Sequence, residues 1–255
     1  MKKNLGLYLF FVSLLLILFG IIMIYSSSSV WAMYKFSDSF KYIKQQALFA
    51  FIGIFLVYVM SKIDYKFYYK NASLIFFISI FLLILVLIPG IGSVRNGSRS
   101  WFGIGSFGIQ PSEFAKLSLI ILTSKYLSKS NKFTKDIKKG VIPILGVLFL
   151  VFGLIMLQPD FGTGMIIVMS IIAMLFVAGV NIKFFLALGG IGVVGIIVLI
   201  IIAPYRMDRI TSFIDPWSDP LGTGFQIIQS LYAIGPGGLL GMGFLKSRQK
   251  QFYLP

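Results

Sequence analysis

The chain contains no cysteine and no histidine. Disulfides, thiolate nucleophiles, histidine bases and most zinc sites are thereby excluded, so proton chemistry is left to Asp, Glu, Lys and Tyr. Acidic residues are scarce too: Asp and Glu together number 8, and Glu113 is the sole glutamate. Charged residues make up 12% of the chain, where a soluble globular domain has about a quarter. A soluble domain is ruled out by that shortage together with a hydrophobic content of 58%.

The apolar residues fall in blocks of roughly 17 to 22, the length a helix needs to cross about 30 Å of hydrocarbon. Helices rather than a barrel are implied, because every backbone group in such a block must be satisfied within its own segment. Seven spans are predicted: Leu5–Tyr25, Ala47–Met60, Ala72–Pro89, Pro111–Leu127, Val141–Leu157, Gly162–Val180 and Phe184–Ala203. The first follows Lys2 and Lys3 as a secretory signal would, but its apolar core exceeds the usual length of about 7 to 15 residues. It reads as a retained span.

The formal net charge of +15 is mostly lysine flanking the spans. A cytoplasmic N-terminus places roughly twice as many basic residues in the inner loops as in the short outer ones, as the positive-inside rule requires. The basic residues form no compact domain, which argues against nucleic acid as a partner. All the arginines (Arg95, Arg99, Arg206, Arg209 and Arg248) fall outside in this topology, while the inner cations are lysines. Arginine's rigid fork suits phosphate or carboxylate, so an outward-facing anionic ligand is one reading; chance or headgroup contact is the other.

Two glycine patterns carry no weight. Gly103-x-Gly105-x-x-Gly108 and Gly190-x-Gly192-x-x-Gly195 both fit the dinucleotide fingerprint, but neither lies in a soluble strand-turn-helix unit.

The stretch "NGSRSWFGIGSFGIQPSEFAKL" (96–117) is different. Pro111 suits the first turn of a helix, and Glu113 and Lys116 share a face three residues apart, so they can pair where the span enters the membrane. Such a pair either bridges helices or lines a polar cavity. Asp160, in "LQPDFGTG", can cap its own helix or serve the same cavity. Gln110-Pro111-Ser112 and Gln158-Pro159-Asp160 open two inbound spans alike, a faint hint of duplication.

Residues 204–255 are too polar to span and too aromatic for a flexible tail, so they are expected to fold against the outer mouth of the bundle. Arg206, Asp208, Arg209, Asp215 and Asp219 surround Trp217 there, a set that suits a phosphosugar or a self-paired loop.

Taken in order, "NGSRSWFGIGSFGIQPSEFAK", "LQPDFGTG" and "YRMDRITSFIDPWSDPLGTGFQIIQSLYAIGPGGLLGMGFLKSRQKQFYLP" resemble the SEDS (shape, elongation, division and sporulation) family of FtsW, RodA and SpoVE, nearest its sporulation and division branch. Ser100 stands where many relatives carry a second arginine. The resemblance implies an all-α polytopic membrane protein: a ten-helix fold of which seven spans lie in residues 1–203, with 204–255 forming part of a long extracellular loop.

It further implies a peptidoglycan glycosyltransferase at the outer face of the bacterial cytoplasmic membrane. Such an enzyme polymerises lipid II, usually beside a class B penicillin-binding protein. Glu113, Lys116, Arg99, Trp101, Gln110 and Asp160 would line the substrate cavity. Arg206, Arg209, Asp215, Asp219, Gln226 and Lys250 would serve the diphosphate from the outer loop. A hard divalent ion, Mg²⁺ or Mn²⁺, suits carboxylates beside a diphosphate, but no ligand set is legible.

In the family pattern "YLP" is followed by "TDF", whose Asp is the favoured catalytic base, and then by three more spans. The sequence stops at Pro255, so a piece of a longer protein or a shortened, inactive product is expected. A lipid II flippase and a scaffold for the penicillin-binding protein are the competing readings.

Overall fold

The computed structural model describes residues 2–95, 97–103, 108–129, 137–202, 211–238, 241–247 and 250. In chain order they form α1 (Lys2–Phe36), α2 (Lys41–Ser61), α3 (Tyr65–Leu85), a hairpin of β1 (Ser93–Arg95) and β2 (Ser98–Trp101), and α4 (Pro111–Ser128). A π-helical turn (Ile137–Val141) then leads into α5 (Ile142–Met156), followed by α6 (Phe161–Val177), α7 (Ile182–Ile202) and α8 (Phe225–Ile234). Short 3₁₀ turns lie at Pro216–Ser218 and Gly235–Gly237.

Every predicted span falls on a helix, with corrections of extent: α2 begins at Lys41, not Ala47, α3 runs from Tyr65 to Leu85, not from Ala72 to Pro89, and Ala203 lies outside the described residues. The first span does not stop at Tyr25: α1 runs to Phe36, about 52 Å at 1.5 Å per residue, and so outruns the hydrocarbon. Ser26 to Ser29 do not break it, because Ser27 and Ser28 turn their hydroxyls back onto Ile24 O. The fourth span, α4, carries Glu113, Lys116 and Lys125 in 18 residues. Among the described residues, Leu5–Phe36, Lys41–Ser61, Tyr65–Leu85 and Ile137–Met156 are long and apolar enough to cross a membrane, and α4 is not one of them. Packing buries Ser112, Ser118 and Thr123 of this helix, while Glu113 stays half-exposed.

The chain divides into two compact units, residues 63–192 and residues 1–62 with 193–255. In the first, burial follows helical spacing. Ala72, Phe76, Ser79 and Leu83 form the inward stripe of α3; Ile144, Leu148, Val151 and Ile155 that of α5; Gly164, Ile167, Ile171 and Leu175 that of α6. These intervals of three and four keep one face of each helix turned inward. The opposite faces carry exposed apolar residues such as Phe77, Phe149 and Met169, the arrangement a lipid-facing surface requires.

α4 packs on α3 through small residues. Ala115 and Ser118 are buried, and Ser118 Oγ meets Ser79 Oγ at 2.6 Å. Small side chains allow two membrane helices to approach closely, and the hydroxyl pair satisfies both partners away from water.

In the second unit α1 turns back into α2 at Asp38. The Asp38 carboxylate accepts from Lys44 Nζ and from the Phe40 amide, both at 2.9 Å. These bonds, Lys44 first, hold its carboxyl below the usual carboxylate range. Tyr25 stacks on Phe40 at 5.0 Å, and Ser26 Oγ accepts from the Leu245 amide at 2.9 Å.

Candidate functional site

The start of α4 is built from its first residues. Gln110 is extended and precedes Pro111, which has no amide to satisfy and a ring preset for the first turn. Glu113 then lies in the first turn, where the helix dipole favours a negative charge. One turn on, Lys116 Nζ donates to Glu113 Oε2 at 2.7 Å. The expected pair therefore forms. Glu113 is 55% exposed at its side chain and Lys116 26%, and the bond between them is open to the surface.

Asp160 serves two helices at once. Its carboxylate caps α6, accepting from Thr163 N at 3.1 Å and Thr163 Oγ1 at 2.8 Å, and it also accepts from Gln110 Nε2 at 2.8 Å. The two Gln-Pro phrases, at 110 and 158, thus meet in space: the residue that opens α4 is bonded to the residue that opens α6.

Gln158 lies two residues before Asp160 and is fully buried. Its Nε2 donates to Leu83 O at 3.4 Å, and its own carbonyl accepts from Ser98 Oγ on β2. α3 tightens here, since the Leu87 amide bonds Ile84 O, and Leu83 O is capped by the glutamine. The hairpin, the end of α3, and the starts of α4 and α6 are gathered round this one turn.

The hairpin carries the remaining predicted residues. β1 and β2 pair antiparallel with a register irregularity at Ser93/Val94, and a further bridge joins Phe102 to Ile109. Arg95 lies over the Trp101 ring at 5.0 Å, and its guanidinium lies where a side chain at Gly108 would intrude. A Cβ at Gly92 would meet the Val86 carbonyl and Arg99 Cγ, so the hairpin folds tightly on the end of α3. Arg99 is partly buried, and its Nη1 has no partner among the described residues; the same holds for Ser112 Oγ and Gln158 Oε1.

In residues 211–247 the two predicted carboxylates are engaged locally. Asp215 accepts from Trp217 N at 3.1 Å and starts a 3₁₀ turn. Asp219 accepts from Thr223 N at 2.8 Å, Gly222 N at 3.1 Å and Thr223 Oγ1. The Thr223 amide foremost, then Gly222, holds the Asp219 carboxyl below the usual carboxylate range. Trp217 packs edge-on against Tyr232 at 5.9 Å. Gln226 lies in the first turn of α8, and Lys250 Nζ donates to Leu245 O. Arg206 and Arg209 lie outside the described residues.

Among the described residues no three carboxylates come together. The residues that sequence reasoning left out of the site are Gln158, Ser98 and Ser112. Their only signal was position, beside a Pro or a Gly at the end of a span, which also describes many structural turns.

Comparison with known proteins follows the same layout. A family model described as cell cycle protein, FtsW/RodA/SpoVE, matches residues 7–255. Stage V sporulation protein E of Bacillus subtilis (strain 168) is 53% identical over 254 residues, which cover 100% of this chain and 69% of that protein. The probable peptidoglycan glycosyltransferase FtsW of Geobacter sp. (strain M18) is 40% identical over 243 residues, 95% of this chain and 66% of that one. Among solved structures, a chain of a peptidoglycan synthase complex that coordinates polymerization and crosslinking superposes with a TM-score of 0.66 at 28% identity, over 89% of this chain and 66% of its own length. The chain thus spans 66% to 69% of the length of these proteins.

Proposed function

Because the chain belongs to the FtsW/RodA/SpoVE family of cell cycle proteins, a family of multi-pass membrane proteins, we propose that it takes part in polymerising lipid II into glycan strands at the outer face of the bacterial cytoplasmic membrane. The observation that carries this reading is the Glu113–Lys116 pair at the start of α4, tied by the Gln110–Asp160 bond to the turn that also accepts from Ser98 of the hairpin. The names of the relatives, one a probable peptidoglycan glycosyltransferase and one part of a peptidoglycan synthase complex, support it.

In the proposed reaction a sugar 4-hydroxyl attacks the anomeric carbon of the growing strand with inversion. The bond to the undecaprenyl diphosphate breaks, and the hydroxyl proton passes to a base. Charge gathers on the departing diphosphate, so cations fixed in advance at that point lower the barrier. Lys116 and Arg99 are assigned that work, and Glu113 keeps the Lys116 ammonium in place. Trp101, with Arg95 over its ring, offers a flat surface against which a sugar can pack. None of these residues is assigned as the base.

A class B penicillin-binding protein is the proposed partner, since a glycan polymerase works beside a crosslinking enzyme. Full-length protein in nanodiscs, supplied with lipid II and that partner, tests the reading. Wild type should form glycan and Glu113→Ala should lose it with membrane insertion unchanged; undiminished polymerisation by Glu113→Ala would overturn the assignment of the pair.

A further inference from the structure

We infer that Gln158 is a positioning residue: its side-chain amide fixes the end of α3 against the turn that holds Asp160, and through Asp160 sets the start of α4 where Glu113 and Lys116 sit. The inference rests on the proposed function for its activity readout alone. Gln158 touches neither Glu113 nor Lys116 in any bond described above, so it acts at one remove.

The geometry carries it in three steps. Gln158 Nε2 reaches Leu83 O, the carbonyl that α3 leaves open when the Leu87 amide turns to Ile84. Two residues later, Asp160 accepts from Gln110 Nε2, the residue immediately before Pro111. The backbone carbonyl of Gln158 also accepts from Ser98, the neighbour of Arg99. One short turn is therefore bonded to each segment that carries a proposed substrate contact.

Stability does not explain the residue. Its donor bond is long at 3.4 Å, its Oε1 is buried without a partner among the described residues, and the side chain is 0% exposed. A buried amide satisfied at one end only is no better for stability than an apolar side chain of the same length. Methionine matches glutamine in length and volume, so Gln158→Met deletes the bond with little change in packing; the loss of the donor to Leu83 O is offset by removal of the buried amide with its unpartnered Oε1.

Residues 1–255 contain no cysteine, so once any cysteine outside them is replaced a clean distance measurement is possible. Spin labels at Ile84→Cys and Phe161→Cys, both at exposed positions, would report the separation between the end of α3 and the start of α6. In full-length protein in nanodiscs, Gln158→Met should broaden that distance distribution while leaving thermal unfolding close to wild type. Glycan-forming kcat should fall about tenfold to a hundredfold with KM nearly unchanged, the mark of misplaced rather than lost contacts.

An unchanged distribution, or a broadened one with unchanged kcat, would overturn the inference. If wild type makes no glycan in this assay, the proposed function fails, and the distance distribution still decides whether Gln158 fixes the turn. Should Gln158→Met not fold, Leu83→Pro is no substitute; Gln158→Asn, one methylene too short to reach Leu83 O, provides the second variant and is held to the same outcomes.

Discussion

Glu113 and Lys116 are paired, yet their bond is worth little to the fold. A half-exposed ion pair contributes about 0 to 1 kcal/mol, and the two charges are three residues apart on one helix, where pairs add a few tenths. Glu113→Ala and Lys116→Ala are therefore expected to shift the unfolding midpoint by no more than a few degrees while abolishing glycan synthesis; differential scanning fluorimetry beside the polymerisation assay checks both halves. Asp219 makes a different prediction. Its carboxyl is held low by loop amides, so its contribution is complete above the ordinary carboxylate range and is lost as pH falls through the lowered folded value. With Trp31, Trp101 and any tryptophan outside residues 1–255 replaced by phenylalanine, Trp217 fluorescence should stay flat from pH 7 to about pH 4 and change only below that. Because Asp215 also accepts from the Trp217 amide, the comparison is made with Asp215→Asn in both proteins, and adding Asp219→Ala should then abolish the acid-induced change.

Among the elements, the contact between α3 and α4 is the most exacting, because small residues from both helices meet there and a 2.6 Å hydroxyl pair closes it. Ser118→Ala should cost about 0.6 kcal/mol, the average for a bond between membrane helices, whereas Ser118→Leu should cost about 1 to 3 kcal/mol by overpacking. Thermal unfolding in nanodiscs distinguishes the two. The helices themselves were legible in the sequence, since apolar runs of membrane length leave few alternatives. Glu113 and Lys116 were legible as a pair because spacing on a helix determines which side chains meet. The β-hairpin was not: β1 and β2 are three and four residues long, polar, and held in place by bonds to Gln158 and by the close approach at Gly92. The link from Gln110 to Asp160 crosses 50 positions of sequence and depends on how α4 and α6 pack, which periodicity within either helix cannot report. The first span was read as ending at Tyr25, where its apolar run ends, and the helix continues through the serines that follow because Ser27 and Ser28 bond their hydroxyls to Ile24 O.

At the scale of the molecule, each compact unit presents exposed apolar residues and a few bonded polar side chains. Unit 63–192 keeps an apolar core along α3, α4, α5 and α6 and carries Ser98, Gln110, Glu113, Lys116, Gln158 and Asp160 at its hairpin end. The central claim is that this end handles a lipid-linked diphosphate sugar for polymerisation and not for transport. The most direct test is to embed full-length protein in proteoliposomes with its penicillin-binding partner, add fluorescent lipid II from the outside only, and follow both products. The account predicts long glycan strands from wild type, none from Glu113→Ala, and no protein-dependent movement of lipid II between leaflets. Transfer of lipid II across the bilayer without any glycan would contradict it and make the protein a transporter.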